Sequence, residues 1–240
     1  MGGVQARASV GAKVALAPSS AWTDLGLTLP VFVVYHLGVI FLPVRNAADL
    51  VTQELVELAH QSRPSYIALT LGFGVFFVGA LLLLGRRQVF RWQNFALLGV
   101  EGVLYAVAMR LVAAAVVGRL YLALGLERHF TGLVMSLGAG LYEEVAFRVL
   151  LFGVGLRCMR WLLGALPTWK GGLLAGAWAL GSALLFSAWH HLGSFADPLD
   201  GRVFVFRTVC GLVFTLIYAL RGFAPVVWTH VAYDLWVLAA

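Results

Sequence analysis

Two adjacent glutamates and an arginine lie inside one long apolar stretch of the chain. Glu143, Glu144 and Arg148 all fall in the otherwise apolar segment 131–156. In a helix, Glu144 and Arg148 stand one turn apart and can form an ion pair, whereas Glu143 points about 100° away. Because charged groups within a bilayer are costly and usually functional, we expect Glu143 to be free for acid/base chemistry. The alternative is a purely structural polar contact between helices.

Two further apolar segments present histidines. In the first, Phe186 and His190 lie one helical turn apart near the end of the segment. In the second, His230 and Asp234 are also four residues apart, so the carboxylate can accept from one imidazole nitrogen and fix the tautomer. Taken singly, His190 could be a solvated or hydrogen-bonded residue at a helix end, and His230 and Asp234 could simply satisfy each other's hydrogen bonds. Three helices that together present a free carboxylate, a histidine and a histidine–aspartate pair instead favour a site for acid/base catalysis.

The composition indicates a membrane protein. Of the 240 residues, 61% are hydrophobic and 12% are charged, with a mean hydropathy of +0.90, whereas about 25% of the residues of a soluble domain are charged. In a soluble protein the net charge of +6 would suggest a nucleic-acid partner. Here the basic residues fall mostly in short loops between apolar segments, where they indicate on which side of the membrane each loop lies. We therefore expect a lipid bilayer around the chain and no nucleic-acid partner.

The apolar segments predict an all-α, polytopic helical bundle with seven to eight transmembrane helices, since a spanning helix needs about 20 apolar residues. We expect a tail at 1–24 and a single transmembrane domain at 25–240, with the motif-bearing helices in 131–240. The predicted spans are 25–44, 65–84, 94–117, 131–156, 172–192, 203–220 and 223–239.

Segment 46–60 predicts a short amphipathic helix that lies in the interface or packs as an eighth membrane segment. Asn46 is the expected N-cap. The predicted apolar face is made of Val51, Leu55 and Leu58, and the polar face of Glu54, Glu57 and Gln61.

Loop charges predict a cytoplasmic N-terminus. With the tail inside, nine loop Lys and Arg residues fall on the inner side and five on the outer side, as the positive-inside rule requires. We expect an integral membrane protein, located in the bacterial cytoplasmic membrane, with its N-terminus in the cytoplasm. Of the remaining charges within spans, Glu101 is the expected partner of Arg110 or Arg207, which otherwise snorkel toward water.

The three motifs, in this order and on apolar helices, resemble those of the CPBP (CAAX protease and bacteriocin-processing, or Abi) intramembrane proteases, which include type II CAAX prenyl proteases. The resemblance covers residues 131–240. It implies an endopeptidase that cleaves a membrane-anchored protein or peptide with a CAAX-type or C-terminal sorting tail. The residues that carry it are Glu143, Glu144 and Arg148, then Phe186 and His190, then His230 and Asp234.

The resemblance also implies a role for each motif residue. Glu143 would be the base that activates water, and His190 would share the proton. Glu144 and Arg148 would hold the helix, Phe186 would shape the pocket, and His230 with Asp234 would stabilise the oxyanion.

Asp234 departs from the commoner residue of the prenyl-protein members, which is Asn. Asparagine donates hydrogen bonds, whereas an aspartate donates only when protonated. We therefore expect Asp234 to orient His230, so that the imidazole is the donor toward the oxyanion. A protonated Asp234 that donates directly is the alternative.

Other chemistries compete with this interpretation. No cofactor is favoured, but His190, His230 and Glu143 would also suit a zinc ion with one open position. Carboxylates and histidines in membrane helices also mark transporters and proton relays. Transporters often show two related halves, and here the charged motifs are confined to the C-terminal half. A non-catalytic immunity or scaffold protein that keeps the motifs as a polar core is the third alternative.

Overall fold

The computed structural model describes residues 21–42, 45–60, 62–84, 92–118, 129–192 and 196–238, and within these ranges it contains helices and no strands. This confirms the predicted all-α bundle. Residues 1–20 of the predicted tail (1–24) lie outside the described residues. The helices are α1 (Ala21–Val39), α2 (Leu50–Leu58), α3 (Arg63–Leu84), α4 (Trp92–Val117), α5 (His129–Gly138), α6 (Gly155–Leu163), α7 (Thr168–Trp189), α8 (Gly201–Arg221) and α9 (Phe223–Leu238).

Helices α5 and α6 are the two ends of one continuous helix, which we call the motif helix (residues 129–163). Its middle widens into π-helical turns at Ala139–Glu143 and Val145–Val154, and Glu144 between them keeps a helical backbone. Such turns are rare and often occur at functional sites. The Glu-Glu-x-x-x-Arg motif lies within them.

Within the described part of the chain, five helices are long and apolar enough to cross a membrane: α1, α3, α4, α7 and α8. The other two predicted spans, 131–156 and 223–239, correspond to the motif helix and α9. Each of the seven predicted spans therefore corresponds to a helix. The apolar side chains that these helices expose, such as Phe76, Leu104 and Leu185, suit a lipid environment.

Helix α2 corrects two details of the predicted amphipathic segment. Its N-cap is Asp49, whose carboxylate accepts from the Thr52 N–H at 2.8 Å, and Asn46 is not the cap. Leu55 is buried as expected, but Leu58 is 65% exposed. The helix is shorter than expected and rotated, so Thr52 and Ala59 face inward in place of Leu58.

Helix α9 lies at the centre of the bundle and packs against α1, α4, α5 and α8. Small residues allow this close approach: a Cβ at Gly102 of α4 would lie 2.9 Å from the backbone of Trp228. On the motif helix, a Cβ at Gly140 would collide with Val231. Asp24 of α1 accepts from the Phe223 N–H at 2.6 Å, which satisfies one of the free amides at the start of α9. These contacts fix α9, and with it the third motif, against the motif helix.

Candidate active site

The three motifs meet around one cavity of about 420 Å³ at the end of the bundle where α7 ends and α8 begins. It lies among the motif helix, α7, α8, α9 and the loop before α2. The motif side chains that line it are Glu143, Phe186, His190, His230 and Asp234, joined by Asn46, Arg207, Cys210 and several apolar residues. The residues predicted to act together are therefore neighbours in space.

Glu143 presents its two carboxylate oxygens to different surroundings. Oε1 accepts a hydrogen bond from the side-chain amide of Asn46 at 3.0 Å. Oε2 lies 3.7 Å from Nε2 of His190 and 4.0 Å from Nε2 of His230, which is too long for a direct hydrogen bond. Within the described residues Oε2 has no hydrogen-bond partner, although it is buried. One oxygen of Glu143 is held, and the other faces the two imidazoles.

Glu144 forms the predicted ion pair with Arg148, at 3.0 Å between Oε1 and Nη1. Both side chains are fully buried, and the guanidinium also lies over the rings of Phe186 and Phe214. The same Oε1 of Glu144 lies 2.6 Å from Nδ1 of His230. Glu144 therefore connects the first motif to the third, a contact that the spacing of residues along the chain did not indicate.

This contact changes the surroundings expected for Asp234. Its Oδ2 lies 3.5 Å from Nε2 of His230, on the nitrogen that also faces Glu143. The shorter carboxylate contact of His230 is to Glu144, on Nδ1. Since an ionised carboxylate only accepts, Nδ1 carries a proton in this arrangement, and the tautomer is assigned from the contact.

His190 lies at the C-terminal end of α7, where its Nδ1 is 2.9 Å from the carbonyl oxygen of Phe186. A carbonyl only accepts, so Nδ1–H donates and Nε2 of the neutral ring is left as an acceptor that faces Glu143. The ring of Phe186 packs edge-on against His190, with centroids 5.0 Å apart, and at 6.0 Å from His230. Phe186 therefore packs against both imidazoles.

The predicted partner of Glu101 is wrong. Glu101 pairs with Arg221 through two hydrogen bonds of 2.7 and 3.0 Å, and not with Arg110 or Arg207. The guanidinium of Arg110 is buried and lies 4.5 Å from the ring centroid of Trp236. Arg207 lines the cavity and pairs with Asp197, in the segment before α8. Helix spacing could not identify these partners because they lie on other elements.

Asn46 is the main residue of the site that the sequence did not identify as functional. It lies between α1 and α2, in a segment interpreted from its amphipathic pattern alone. A lone polar residue before a short helix is typical of an N-cap. Its contact with Glu143 spans 97 residues of sequence, and no local pattern predicts such a distance.

The donors named for a zinc site can be compared with zinc geometry. Ligand atoms on a tetrahedral zinc, with bonds of about 2.0–2.1 Å, lie roughly 3.3 Å apart. The two Nε2 atoms lie 3.7 and 4.0 Å from Oε2 of Glu143. Among the described residues no group of three His, Cys, Asp or Glu side chains is placed to hold a metal ion. Zinc stays a competing hypothesis for experiment to decide.

Comparison with known proteins identifies the same part of the chain as the motifs do. Residues 125–236 match the family model described as Type II CAAX prenyl endopeptidase Rce1-like. The match covers all three motifs and confirms the resemblance inferred from them. No curated protein and no solved structure matches the chain.

Proposed function

We propose, from the match of residues 125–236 to the family model of the Rce1-like type II CAAX prenyl endopeptidases, that Glu143 is the general base of a metal-free intramembrane endopeptidase. The family implies a protease with membrane-anchored protein substrates. The proposed substrate is a membrane-anchored protein or peptide that is cleaved in its C-terminal tail. The proposed reaction is hydrolysis of a peptide bond by one water molecule.

A single observation carries this proposal. Oε2 of Glu143 is buried and faces the Nε2 atoms of two histidines across 3.7 and 4.0 Å. These separations are too long for direct hydrogen bonds but suit a bridging water. A buried carboxylate that accepts from such a water can remove its proton as the oxygen attacks a carbonyl carbon.

The proton has a defined route. Glu143 takes it from the attacking water, and the accepting Nε2 of His190 shares it. When the carbon–nitrogen bond breaks, this proton passes to the leaving nitrogen, and the second proton of the water follows when the new carboxylic acid ionises, so the products are a carboxylate and an ammonium group. The backbone contact of Nδ1 with Phe186 keeps His190 in the tautomer that this route needs.

His230 is the proposed donor to the oxyanion. Its Nδ1–H is directed to Glu144, and in the proposed scheme the ring is the doubly protonated imidazolium, whose Nε2–H points into the cavity beside Glu143 and Asp234. A donor fixed in this way stabilises developing negative charge without reorganisation. Glu144 and Arg148 act in this scheme by holding His230 and the motif helix.

The proposed topology determines to which side of the membrane the candidate active site opens. With the N-terminus in the cytoplasm of a bacterial cell, the ends of α1 and α7 and the start of α8 lie at the outer face, and the site opens there. A cysteine at the exposed Ala47, in a chain free of Cys158 and Cys210, tests this. It should react in intact cells with a membrane-impermeant maleimide, and protection from the reagent until the cells are lysed would reverse the topology.

The test of function uses purified protein in lipid vesicles with membrane-anchored peptides that carry CAAX-type or sorting-type tails. We expect one new C-terminus, identified by mass spectrometry, that persists in the presence of a chelator. Glu143→Gln, purified in the same way, is the control for cleavage by contaminating proteases. Cleavage that the chelator abolishes and zinc restores, with one zinc per chain, would favour the metal mechanism. No cleavage of any tail, with ion flux across the vesicles, would favour the transporter hypothesis.

A further inference from the structure

The loop between α1 and α2 reaches the proposed catalytic carboxylate from outside the region that defines the family. Asn46 lines the cavity and its Nδ2 donates to Oε1 of Glu143 at 3.0 Å. The family match begins at residue 125, so the first part of the chain supplies a direct contact to the base.

The orientation of the Asn46 amide is fixed by its own loop. Its Oδ1 accepts from the Ala48 N–H at 2.9 Å, a local turn that asparagine commonly makes. Because this contact uses the oxygen, the amide nitrogen is the group that faces Glu143. The Asn46 carbonyl accepts from the Asp49 N–H at 3.0 Å, which closes the loop onto α2.

A second set of contacts holds the loop against the motif helix. The Tyr35 hydroxyl donates to Oδ2 of Asp49 at 2.7 Å and accepts from the Asn46 N–H at 3.2 Å. Tyr35 is fully buried and its ring lies against Gly138, where a Cβ would collide with it. The loop position is thus set by buried groups on α1, α2 and the motif helix.

We propose that Asn46 is a positioning residue that holds Glu143 with Oε1 bound and Oε2 directed toward the histidines. The proposal rests on the proposed function, because it assigns Asn46 a part in water activation. Without the amide, Oε1 loses its one hydrogen bond to a side chain and the carboxylate can rotate away from His190. A displacement of about 1 Å in a catalytic group can lower a rate by about a hundredfold.

Two variants of Asn46 distinguish its proposed role in positioning Glu143 from its role in the structure of the loop. Asn46→Asp keeps an oxygen for the Ala48 N–H, but its other oxygen cannot donate to Glu143 unless protonated. Asn46→Ser also keeps a turn-forming oxygen, adds no charge and is too short to reach Glu143. Ala47→Ser, exposed on the same loop, is the control. We expect the rate of bond cleavage per folded molecule to fall by about tenfold to a hundredfold in both Asn46 variants, with unchanged KM, and to stay at the wild-type value in the control.

The outcomes distinguish this proposal from the function on which it rests. If wild-type protein cleaves, Glu143→Gln does not, and both Asn46 variants keep full turnover, the positioning role is overturned while the proposed function stands. If Glu143→Gln stays active, the proposed base is wrong, and the positioning role fails with it. Melting of Asn46→Ala, Glu143→Ala and the double variant then tests the contact without an activity assay: non-additive shifts support it and additive shifts contradict it.

Discussion

Two polar clusters that contain histidine can be compared within the described part of the chain, and they are built in opposite ways. The cavity cluster consists of Glu143, His190, His230 and Asp234. The packed cluster consists of His36, Thr52, Tyr66 and Tyr142, at the junction of α1, α2, α3 and the motif helix. In the packed cluster Nε2 of His36 lies 2.6 Å from the Tyr142 hydroxyl, and Nδ1 lies 3.3 and 3.4 Å from the hydroxyls of Thr52 and Tyr66.

The difference shows what distinguishes a candidate catalyst from a structural histidine. His36 is fully buried and both of its nitrogens contact hydroxyl groups, so it has no atom left for a substrate. His190 and His230 each use Nδ1 for support and direct Nε2 toward one carboxylate oxygen beside a cavity. Each cluster contains a buried histidine, His36 or His230. In the cavity cluster, by contrast, the Nε2 atoms face a carboxylate beside a cavity.

After Glu143→Gln, the largest effect is expected from His190→Ala, which removes the group proposed to share the proton with Glu143. Loss of an acid/base group typically lowers a rate by about 10²–10⁴-fold. Since His190 is only partly buried at a helix end, folding should be unaffected. Single-turnover cleavage and melting in detergent measure the two quantities. Wild-type turnover in this variant would remove His190 from the mechanism.

Glu144→Ala should act on stability, because it leaves Arg148 and His230 without their shared carboxylate in the interior. Removing one partner of a buried ion pair costs about 3–5 kcal/mol. We expect a large fall in melting temperature, compared with Glu54→Ala, an exposed glutamate on α2, which should melt like the wild type. Normal melting of Glu144→Ala would contradict its assignment as a structural group.

His36→Phe tests the packed cluster. The substitution leaves the hydroxyls of Tyr142, Thr52 and Tyr66 without their shared partner, at about 1–3 kcal/mol for a buried unsatisfied group. We expect lower thermal stability with turnover per folded molecule within a few-fold of the wild type. A loss of turnover as large as that of His190→Ala, at unchanged stability, would erase the distinction between the clusters.

Asp234→Asn should have the smallest effect. The sequence predicts that Asp234 fixes the tautomer of His230, but Nδ1 already contacts Glu144 at 2.6 Å, so the ring can be held with Nδ1 protonated without Asp234. We expect turnover to change by no more than about tenfold, or about 1.4 kcal/mol. A loss of about a thousandfold would show that Asp234 orients His230 after all, and a gain would favour direct donation to the oxyanion.

The sequence predicted contacts within one helix better than contacts between distant elements. Helical spacing identified the Glu144–Arg148 pair and placed Phe186 and His190 on one face, because these contacts are local. The contacts of Glu144 with His230, Asn46 with Glu143 and Glu101 with Arg221 join distant elements and depend on how the helices pack, which spacing does not encode. The π-helical turns around the first motif also depart from the regular helix assumed for the sequence.

The packed cluster was missed for the same reason. His36 lies in an apolar span without a charged neighbour at helical spacing, so no local motif marks it. Its three hydroxyl partners come from α2, α3 and the motif helix. The sequence could show that His36 lies in a span, but only the packing shows that its polar atoms are satisfied.

The central claim is that the carboxylate of Glu143 activates the water, and one comparison tests it most directly. Wild type and Glu143→Gln, matched in melting temperature, should be compared in single-turnover cleavage of the same anchored peptide. Glutamine keeps the shape and can accept from Asn46 but cannot take up the proton, so we expect the rate to fall by at least about a thousandfold, equivalent to about 4 kcal/mol. A Glu143→Gln rate within about tenfold of the wild type would contradict the account.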